Sequence, residues 1–127
     1  NGELMLPEKK INQFKFNYPL GIHDFYQLFN KNFDINQFKS IPQFIYMGKL
    51  DNNDAVQFDD AYNDIERNLI NTNLGSDVQN RYLKCQEIYK KKNINATFIT
   101  YENVGHWTTS EMNLEVIKFF FNQMQTD

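Results

Sequence analysis

Two short apolar runs interrupt a largely polar chain with the pattern of buried strands. The first, FIYM at 44–47, is consecutively apolar and is bounded by Pro42 and Gly48. The second, NATFITY at 95–101, concentrates apolar residues in a similar way. Such runs predict strands, and a strand without polar alternation is typical of a parallel sheet. We therefore predict two strands, the first of them buried on both faces.

Helical spacing appears between these two runs. Residues 61–71 and 77–91 are predicted as two helices, separated by Gly75 and Ser76. In the second helix, apolar residues recur at helical spacing and include Cys85, the single cysteine of the chain. We interpret Cys85 as a buried structural thiol, because nothing nearby in the sequence provides the basic, partly exposed setting of a reactive one.

Residues 1–39 show no sustained period. Only 23–29 has a helix-like pattern, and the rest mixes Pro, Gly and Asn with aromatic side chains. We interpret this stretch as a covering segment, since its aromatic side chains need an apolar surface: Phe14, Phe16, Tyr18, Phe25, Phe29, Phe33 and Phe38.

The order strand, polar loop, two helices, strand, loop and helix predicts an α/β fold with two parallel strands flanked by helices. Two strands leave both edges of the sheet open and cover too little of the predicted helices. We therefore expect 1–127 to be a single partial domain with an incomplete sheet. The isolated chain is then expected to associate with itself or to expose apolar surface.

Composition argues against several classes of function. The net charge of −3 and the pI near 5.3 give no general attraction to nucleic acid. No apolar run approaches the roughly 20 residues of a membrane span. One cysteine cannot form an internal disulfide, and the acidic stretch 51–62 lacks the glycine and the final glutamate of a calcium-binding loop. We expect no metal and no cofactor. No signal-peptide pattern is visible, which favours the cytoplasm without deciding the compartment.

Polar side chains follow both predicted strands. Asp51 and Asp54 lie in the loop DNND after the first strand, and His106 lies in ENVGHW after the second. Because the carboxyl ends of parallel strands meet at one edge of a sheet, these loops are expected to share a crevice. A carboxylate that accepts an imidazole N–H fixes the tautomer, so the other ring nitrogen can act as a general base.

The residues around His106 predict a turn followed by a helix. Gly105 permits a sharp turn, and the spacing of Thr108 and Glu111 is that of a capping box. The helix is predicted to run from there to about Gln123.

The segments IPQFIYMGKLDNNDAV and TFITYENVGHWTTSEMNLEVIKFF resemble the last two strand–loop–helix units of an α/β-hydrolase of the esterase and lipase type. The matching motifs are Gly-x-x-Asp in GKLD and Gly-His in NVGHW, and the resemblance runs from about Ser40 to the end of the chain. It implies that 40–127 carries the acid and the histidine of a Ser-Asp-His triad. Residues 1–39 would cross over or cap the site.

The resemblance further implies that His106 is the general base and acid and that Asp51 orients it, with Asp54 as the alternative acid. The nucleophile elbow of the family, Gly-x-Ser-x-Gly, and its glycine-rich oxyanion loop are absent from the 127 residues. The chain would then be the C-terminal portion of a hydrolase, with a missing N-terminal half as its partner. Its substrate would be a small molecule or acyl ester, and the chain alone would be inactive.

Several alternatives stay open. His106 would also suit an exposed position at a helix start, and Trp107 either lines a substrate pocket or covers the last helix. The aromatics of 1–39 either face a substrate or pack against the missing half. His23 and Asp24 are adjacent, and adjacent helical side chains diverge and form no relay by themselves. The alternative function is a non-enzymatic α/β binding or interaction module.

Overall fold

Helices and short strands make up the chain, which the structure, a computed structural model, describes over residues 4–58 and 62–125. The first elements are β1 (Lys10–Ile11), β2 (Phe14–Lys15), α1 (Phe25–Phe29) and α2 (Ile35–Ser40). They are followed by β3 (Gln43–Gly48), α3 (Ala55–Phe58), α4 (Asp64–Asn73), α5 (Val78–Lys91), β4 (Ala96–Tyr101) and α6 (Ser110–Met124).

β3 and β4 form the parallel pair that the two apolar runs predict. Gln43 lies opposite Ala96, and the register continues without a break to Gly48 opposite Tyr101. In the described part of the chain no other strand joins this sheet, because β1 and β2 pair only with each other, as an antiparallel hairpin. The prediction of two parallel strands combined with helices is therefore confirmed.

The core lies on the face of the sheet that α5 covers. The rings of Tyr82 and Tyr89 each lie 5.6 Å from that of Phe98 in β4, edge to face. Cys85, between them on the helix, is completely buried, as its place in the apolar pattern predicts. The N-terminal segment contributes to the same core, since Leu6 is fully buried within it.

α6 covers the opposite face of the sheet only in part. Phe44 of β3 contacts Phe119, with ring centroids 5.2 Å apart. The outer side of the helix is apolar but open to solvent at Leu114, Ile117, Phe120, Phe121 and Met124. Because this face and one edge of β3 are open, Gln43–Tyr46 of the strand is only half-buried. The prediction that this strand is buried on both faces is wrong for that part of it.

The N-terminal segment is more ordered than its sequence predicts. Besides the predicted helix near 23–29, which is observed as α1, it contains the β1–β2 hairpin and α2. The sequence pattern does not predict α2, because the helix is too short to show a clear period. It begins at a cap, where the Asp34 carboxylate accepts the Gln37 N–H at 2.9 Å. Most aromatic side chains of this segment contact one another. They form a row that begins at Tyr18, continues through Phe29, Phe25 and Phe33 and ends at Phe38, which contacts Tyr89 of α5.

Two helices begin later in the chain than the sequence predicts, each after a residue whose side chain caps the helix. The helix predicted at 61–71 is described as α4, which begins after Asn63 in a capping box with Glu66; Ala61 lies outside the described residues. The last helix begins after Thr109, whose hydroxyl accepts the Met112 N–H at 3.2 Å. The prediction that Thr108 caps this helix is therefore wrong by one residue.

A buried ion pair connects the loop after β3 to α5. The Arg81 guanidinium is fully buried and donates to the Asp54 carboxylate, which is itself 9% exposed. Arg81 also donates to the main-chain carbonyl of Gly75 at 3.1 Å. Since a guanidinium keeps its proton in proteins, this buried charge depends on its hydrogen-bond acceptors.

Removing the Asp54 carboxylate is expected to destabilise the fold strongly. Asp54→Ala removes a buried carboxylate that binds the buried Arg81 charge, which costs about 3–5 kcal/mol of the free energy of unfolding. Asp64→Ala is the matched control, because its ion pair with Arg67 lies at the surface and is worth at most about 1 kcal/mol. Urea denaturation measures both, and equal losses would contradict the assignment.

Candidate functional site

The parallel register places the two polar loops side by side. The Lys49 N–H donates to the Tyr101 carbonyl at 2.9 Å, which extends the ladder by one residue beyond β3. The next residue, Leu50, donates to the Val104 carbonyl at 2.9 Å. These main-chain bonds tie the loop after β3 to the loop after β4, so the side chains that follow share one crevice, as we predicted.

Gly48 permits this close approach. A Cβ atom at Gly48 would lie 2.3 Å from the Val104 carbonyl oxygen and 2.5 Å from that of Gly105. Both contacts are with main chain, which cannot move aside as a flexible side chain can. The glycine at the end of β3 therefore sets the distance between the two loops.

Asp51 and His106 meet across the crevice. The Nδ1 atom of His106 lies 3.0 Å from Oδ2 of Asp51, although the residues are 55 positions apart in the chain. The Asp51 side chain is 11% exposed, whereas that of His106 is 59% exposed. In the described part of the chain the second ring nitrogen, Nε2, has no hydrogen-bond partner and remains accessible.

The environment of Asp51 favours its charged form. Burial raises the pKa of this carboxyl, but the Asn53 N–H, the hydrogen bond to His106 and the charge of the imidazolium outweigh that effect. The net result is a pKa below the ordinary value. Asp51 is therefore a carboxylate at neutral pH, and it accepts the Nδ1–H of a neutral His106 or pairs with its charged form.

The other predicted acid and the other histidine lie elsewhere. Asp54 bonds to Arg81 and accepts the Val56 N–H at 3.2 Å, so its carboxylate is directed away from His106. The Asp24 carboxylate accepts the Tyr18 N–H at 2.7 Å, which is a local structural bond beside His23. Of the two acids left open by the sequence, the geometry brings Asp51 to the ring.

A cavity of about 420 Å³ extends from the Asp51–His106 pair along β3. Its lining joins the apolar side chains of Leu4, Ile45, Met47, Trp107 and Met112 to the polar groups of Asp51, His106 and Thr108. Residues on both faces of β3 contribute in succession, which places the cavity along the strand edge that does not pair with β4. Among the described residues, no serine, cysteine, lysine or arginine lines it.

Trp107 lies over the main chain beside the histidine. A Cβ atom at Gly105 would come within 2.2 Å of the indole ring, so the ring is packed directly on this glycine. The side chain is still 60% exposed and lines the cavity. Trp107 therefore belongs to the lining of this cavity, and its contact with a substrate stays a prediction.

Tyr101 connects the end of β4 to the helix behind His106. Its hydroxyl group donates to the Glu115 carboxylate of α6. Burial, together with the negative charge of Glu115, raises the pKa of Tyr101 to about 12. The hydroxyl therefore remains a donor at neutral pH, and it holds α6 against the end of the strand.

Gln79 of α5 is a site residue that the sequence does not reveal. Its side-chain amide donates to the Gly48 carbonyl at 3.0 Å and to the Asp51 carbonyl at 2.8 Å. The apolar spacing of α5 identifies the packed face of the helix, but a glutamine at the border of that face has no signature of its own. The partners of Gln79 lie about 30 residues away, at separations of 31 and 28 positions.

No protein-family model, curated protein or solved structure matches this chain. Within the described residues, no three side chains of His, Cys, Asp or Glu converge as a metal site would require. No helix among them is long and apolar enough to cross a membrane.

Replacing Gly48 is expected to separate the two loops. Gly48→Ala forces the Cβ atom against two main-chain carbonyls, at a cost of about 1–3 kcal/mol in the free energy of unfolding. Gly105→Ala is the control. Its Cβ atom would meet the exposed indole of Trp107, which can move aside, so the loss of stability is expected to be smaller. Because Trp107 is the only tryptophan of the chain, its fluorescence should change in the control. An equal or larger loss for Gly105→Ala would contradict this view of Gly48.

Because of Asp51, the free energy of unfolding is expected to depend on pH in the acid range. A carboxyl whose pKa is lowered by folding stabilises the fold above its unfolded pKa, here near 3.8, and loses this contribution as pH falls through its folded pKa. The stability difference between the natural chain and Asp51→Asn should shrink as pH falls below about 4. Urea unfolding at a series of pH values tests this, and a constant difference throughout would refute it.

Proposed function

We propose that this chain is the C-terminal part of a serine hydrolase with the α/β-hydrolase fold, acting on carboxylic esters. His106 is the general base and acid, and Asp51 is the acid that orients it. The observation that carries the proposal is the 3.0 Å contact between the two side chains at the carboxyl ends of adjacent parallel strands. The loops GKLD and NVGHW supply these residues in the order that the resemblance implies.

The geometry suits proton transfer at Nε2. Asp51 accepts the Nδ1–H and leaves the Nε2 lone pair available toward the cavity. In the proposed reaction, Nε2 takes the proton of a serine hydroxyl as its oxygen attacks the ester carbonyl, and then returns that proton to the departing alcohol. Water repeats the sequence on the acyl-enzyme, and the carboxylate stabilises the imidazolium that forms at each stage.

The nucleophile of this mechanism belongs to residues outside the 127, and the free edge of β3 is where we place a further strand of the same sheet. The Gln43 N–H donates to Asn95 and the Lys49 N–H to Tyr101, so the odd-numbered residues of β3 face β4. In a parallel strand the intervening residues face the other way, which directs the main-chain groups of Phe44 and Tyr46 to the open edge. A further strand paired there would fill the part of the cavity beside Ile45 and Tyr46 and would leave open the end that His106 and Trp107 line.

The uncovered apolar surface also supports a larger sheet. The outer side of α6 exposes Phe120 and Phe121 by more than half of their area, and Ile117 by 63%. Exposed apolar patches of this kind usually mark contacts with another part of a protein. The missing N-terminal half of a hydrolase domain would supply both a strand for β3 and a cover for this helix.

The cavity favours an uncharged substrate. No lysine or arginine among the described residues lines it, so it provides no cation for a carboxylate or phosphate group. Apolar side chains and the exposed indole of Trp107 suit the hydrocarbon part of an ester. We assign substrate contact to Trp107 on this ground.

Ester hydrolysis by the protein that carries this chain with its upstream residues tests the proposal. With a short-chain aryl ester, His106→Ala is expected to lower kcat by about 10⁴-fold or more, and Asp51→Asn by about 10⁴-fold. Glu102→Gln is the matched control, since this carboxylate lies in the same loop as His106 but pairs with Lys49. Its kcat should stay within about twofold of the natural protein, as expected for an exposed ion pair.

Undiminished turnover in His106→Ala would refute the assignment. Absence of ester hydrolysis in the natural protein would instead favour the alternative, a non-enzymatic binding or interaction module. The 127 residues alone should not hydrolyse the ester faster than their own His106→Ala variant, because the nucleophile is not among them.

A further inference from the structure

We propose that Gln79 is a positioning residue that holds Asp51 against His106 through the main chain. The inference rests on the proposed function, in which the Asp51–His106 pair is the proton-transfer unit. Gln79 lies in the first turn of α5, and its side chain is half-buried. It does not line the cavity, so its effect on the reaction passes through Asp51.

The side-chain amide of Gln79 binds both ends of one tight turn. Gly48 begins the turn and Asp51 ends it, and the Asp51 N–H donates to the Gly48 carbonyl at 3.1 Å. Gln79 donates to the carbonyls of these same two residues, at 3.0 and 2.8 Å. A single rigid amide group therefore sets the orientation of the turn from which the Asp51 carboxylate projects.

The remaining bonds of this turn do not replace Gln79. Lys49 and Leu50 bond to the β4 side, at Tyr101 and Val104, and so fix the middle of the turn to the neighbouring loop. Gln79 is the contact that fixes its two ends to α5. Because the carboxylate must meet a ring held by the other loop, a rotation of the turn about the middle bonds would open the distance to Nδ1.

Arg81, two residues further along α5, holds the same loop at its far end by binding Asp54. The two contacts differ in what they should control. Arg81 is fully buried with a charged partner, so its loss is expected to lower stability. Gln79 is a neutral, half-buried donor to two carbonyls, so its loss is expected to misplace Asp51 while the fold persists.

Gln79→Met tests the proposal, because it keeps the length of the side chain and removes the donor. In the protein with its upstream residues, kcat for the aryl ester should fall about 10–100-fold, since a small misplacement of a reacting group has an effect of this size. KM should stay within about twofold, because Gln79 touches no substrate. Gln79→Lys restores N–H donors on a stem of similar reach and should recover most of the loss.

Gln86→Met is the matched control, being the same change at a second half-buried glutamine of α5. It should leave kcat unchanged. Thermal denaturation of each variant establishes that it is folded, and Gln79→Lys supplies a second test if Gln79→Met is not. Unchanged kcat in folded Gln79→Met, or equal losses in Gln79→Met and Gln86→Met, would overturn the proposal.

The imidazole tautomer separates this inference from the proposed function. Nitrogen NMR of the 127-residue chain at alkaline pH should show His106 with its proton on Nδ1, and Gln79→Met should reduce this preference while Gln86→Met does not. If His106→Ala keeps full ester turnover, the hydrolase proposal fails, and the tautomer alone then decides the role of Gln79. If His106→Ala abolishes turnover but Gln79→Met changes neither kcat nor the tautomer, only the positioning role fails.

Discussion

The in-register parallel pairing of β3 with β4 brings both polar loops to one edge of the sheet, and the candidate site depends on this pairing. Gly48 and Tyr101 lie opposite each other, so the two strands end at the same level. The loops then approach within main-chain hydrogen-bond distance, which a Cβ atom at Gly48 would prevent. Asp51 and His106, 55 residues apart, are in contact because main-chain hydrogen bonds hold their two loops together.

α5 supports this arrangement from one face of the sheet. Its apolar side chains pack on Phe98, and the Tyr82 hydroxyl donates to the Ile99 carbonyl of β4 at 3.1 Å. Its first turn also carries Gln79 and Arg81, which bind the loop that contains Asp51. The same helix therefore packs against the core and holds the loop that contains Asp51. Substitutions in its first turn are expected to affect the site as well as stability.

The elements with a strong apolar pattern could be predicted from the sequence. β3 and β4 concentrate apolar residues and α5 has clear helical spacing, and each forms the element that its pattern predicts, although Gln43–Tyr46 of β3 is less buried than predicted. α2 and the β1–β2 hairpin could not, because strands of two residues show no alternation and the six residues of α2 include only two apolar ones, Ile35 and Phe38. The choice between Thr108 and Thr109 as a cap depends on backbone angles that adjacent, identical residues do not reveal.

The choice between Asp51 and Asp54 shows why part of the site was beyond sequence reasoning. Both lie in DNND, and the residue that separates their roles is Arg81, 27 positions beyond Asp54. Its guanidinium holds a permanent charge, so the pair with Asp54 is fixed and structural. The imidazole of His106 is largely exposed and has a second, accessible ring nitrogen, so the pair with Asp51 is open to a further partner. One short loop thus carries two carboxylates that bind different partners, a buried guanidinium and a largely exposed imidazole.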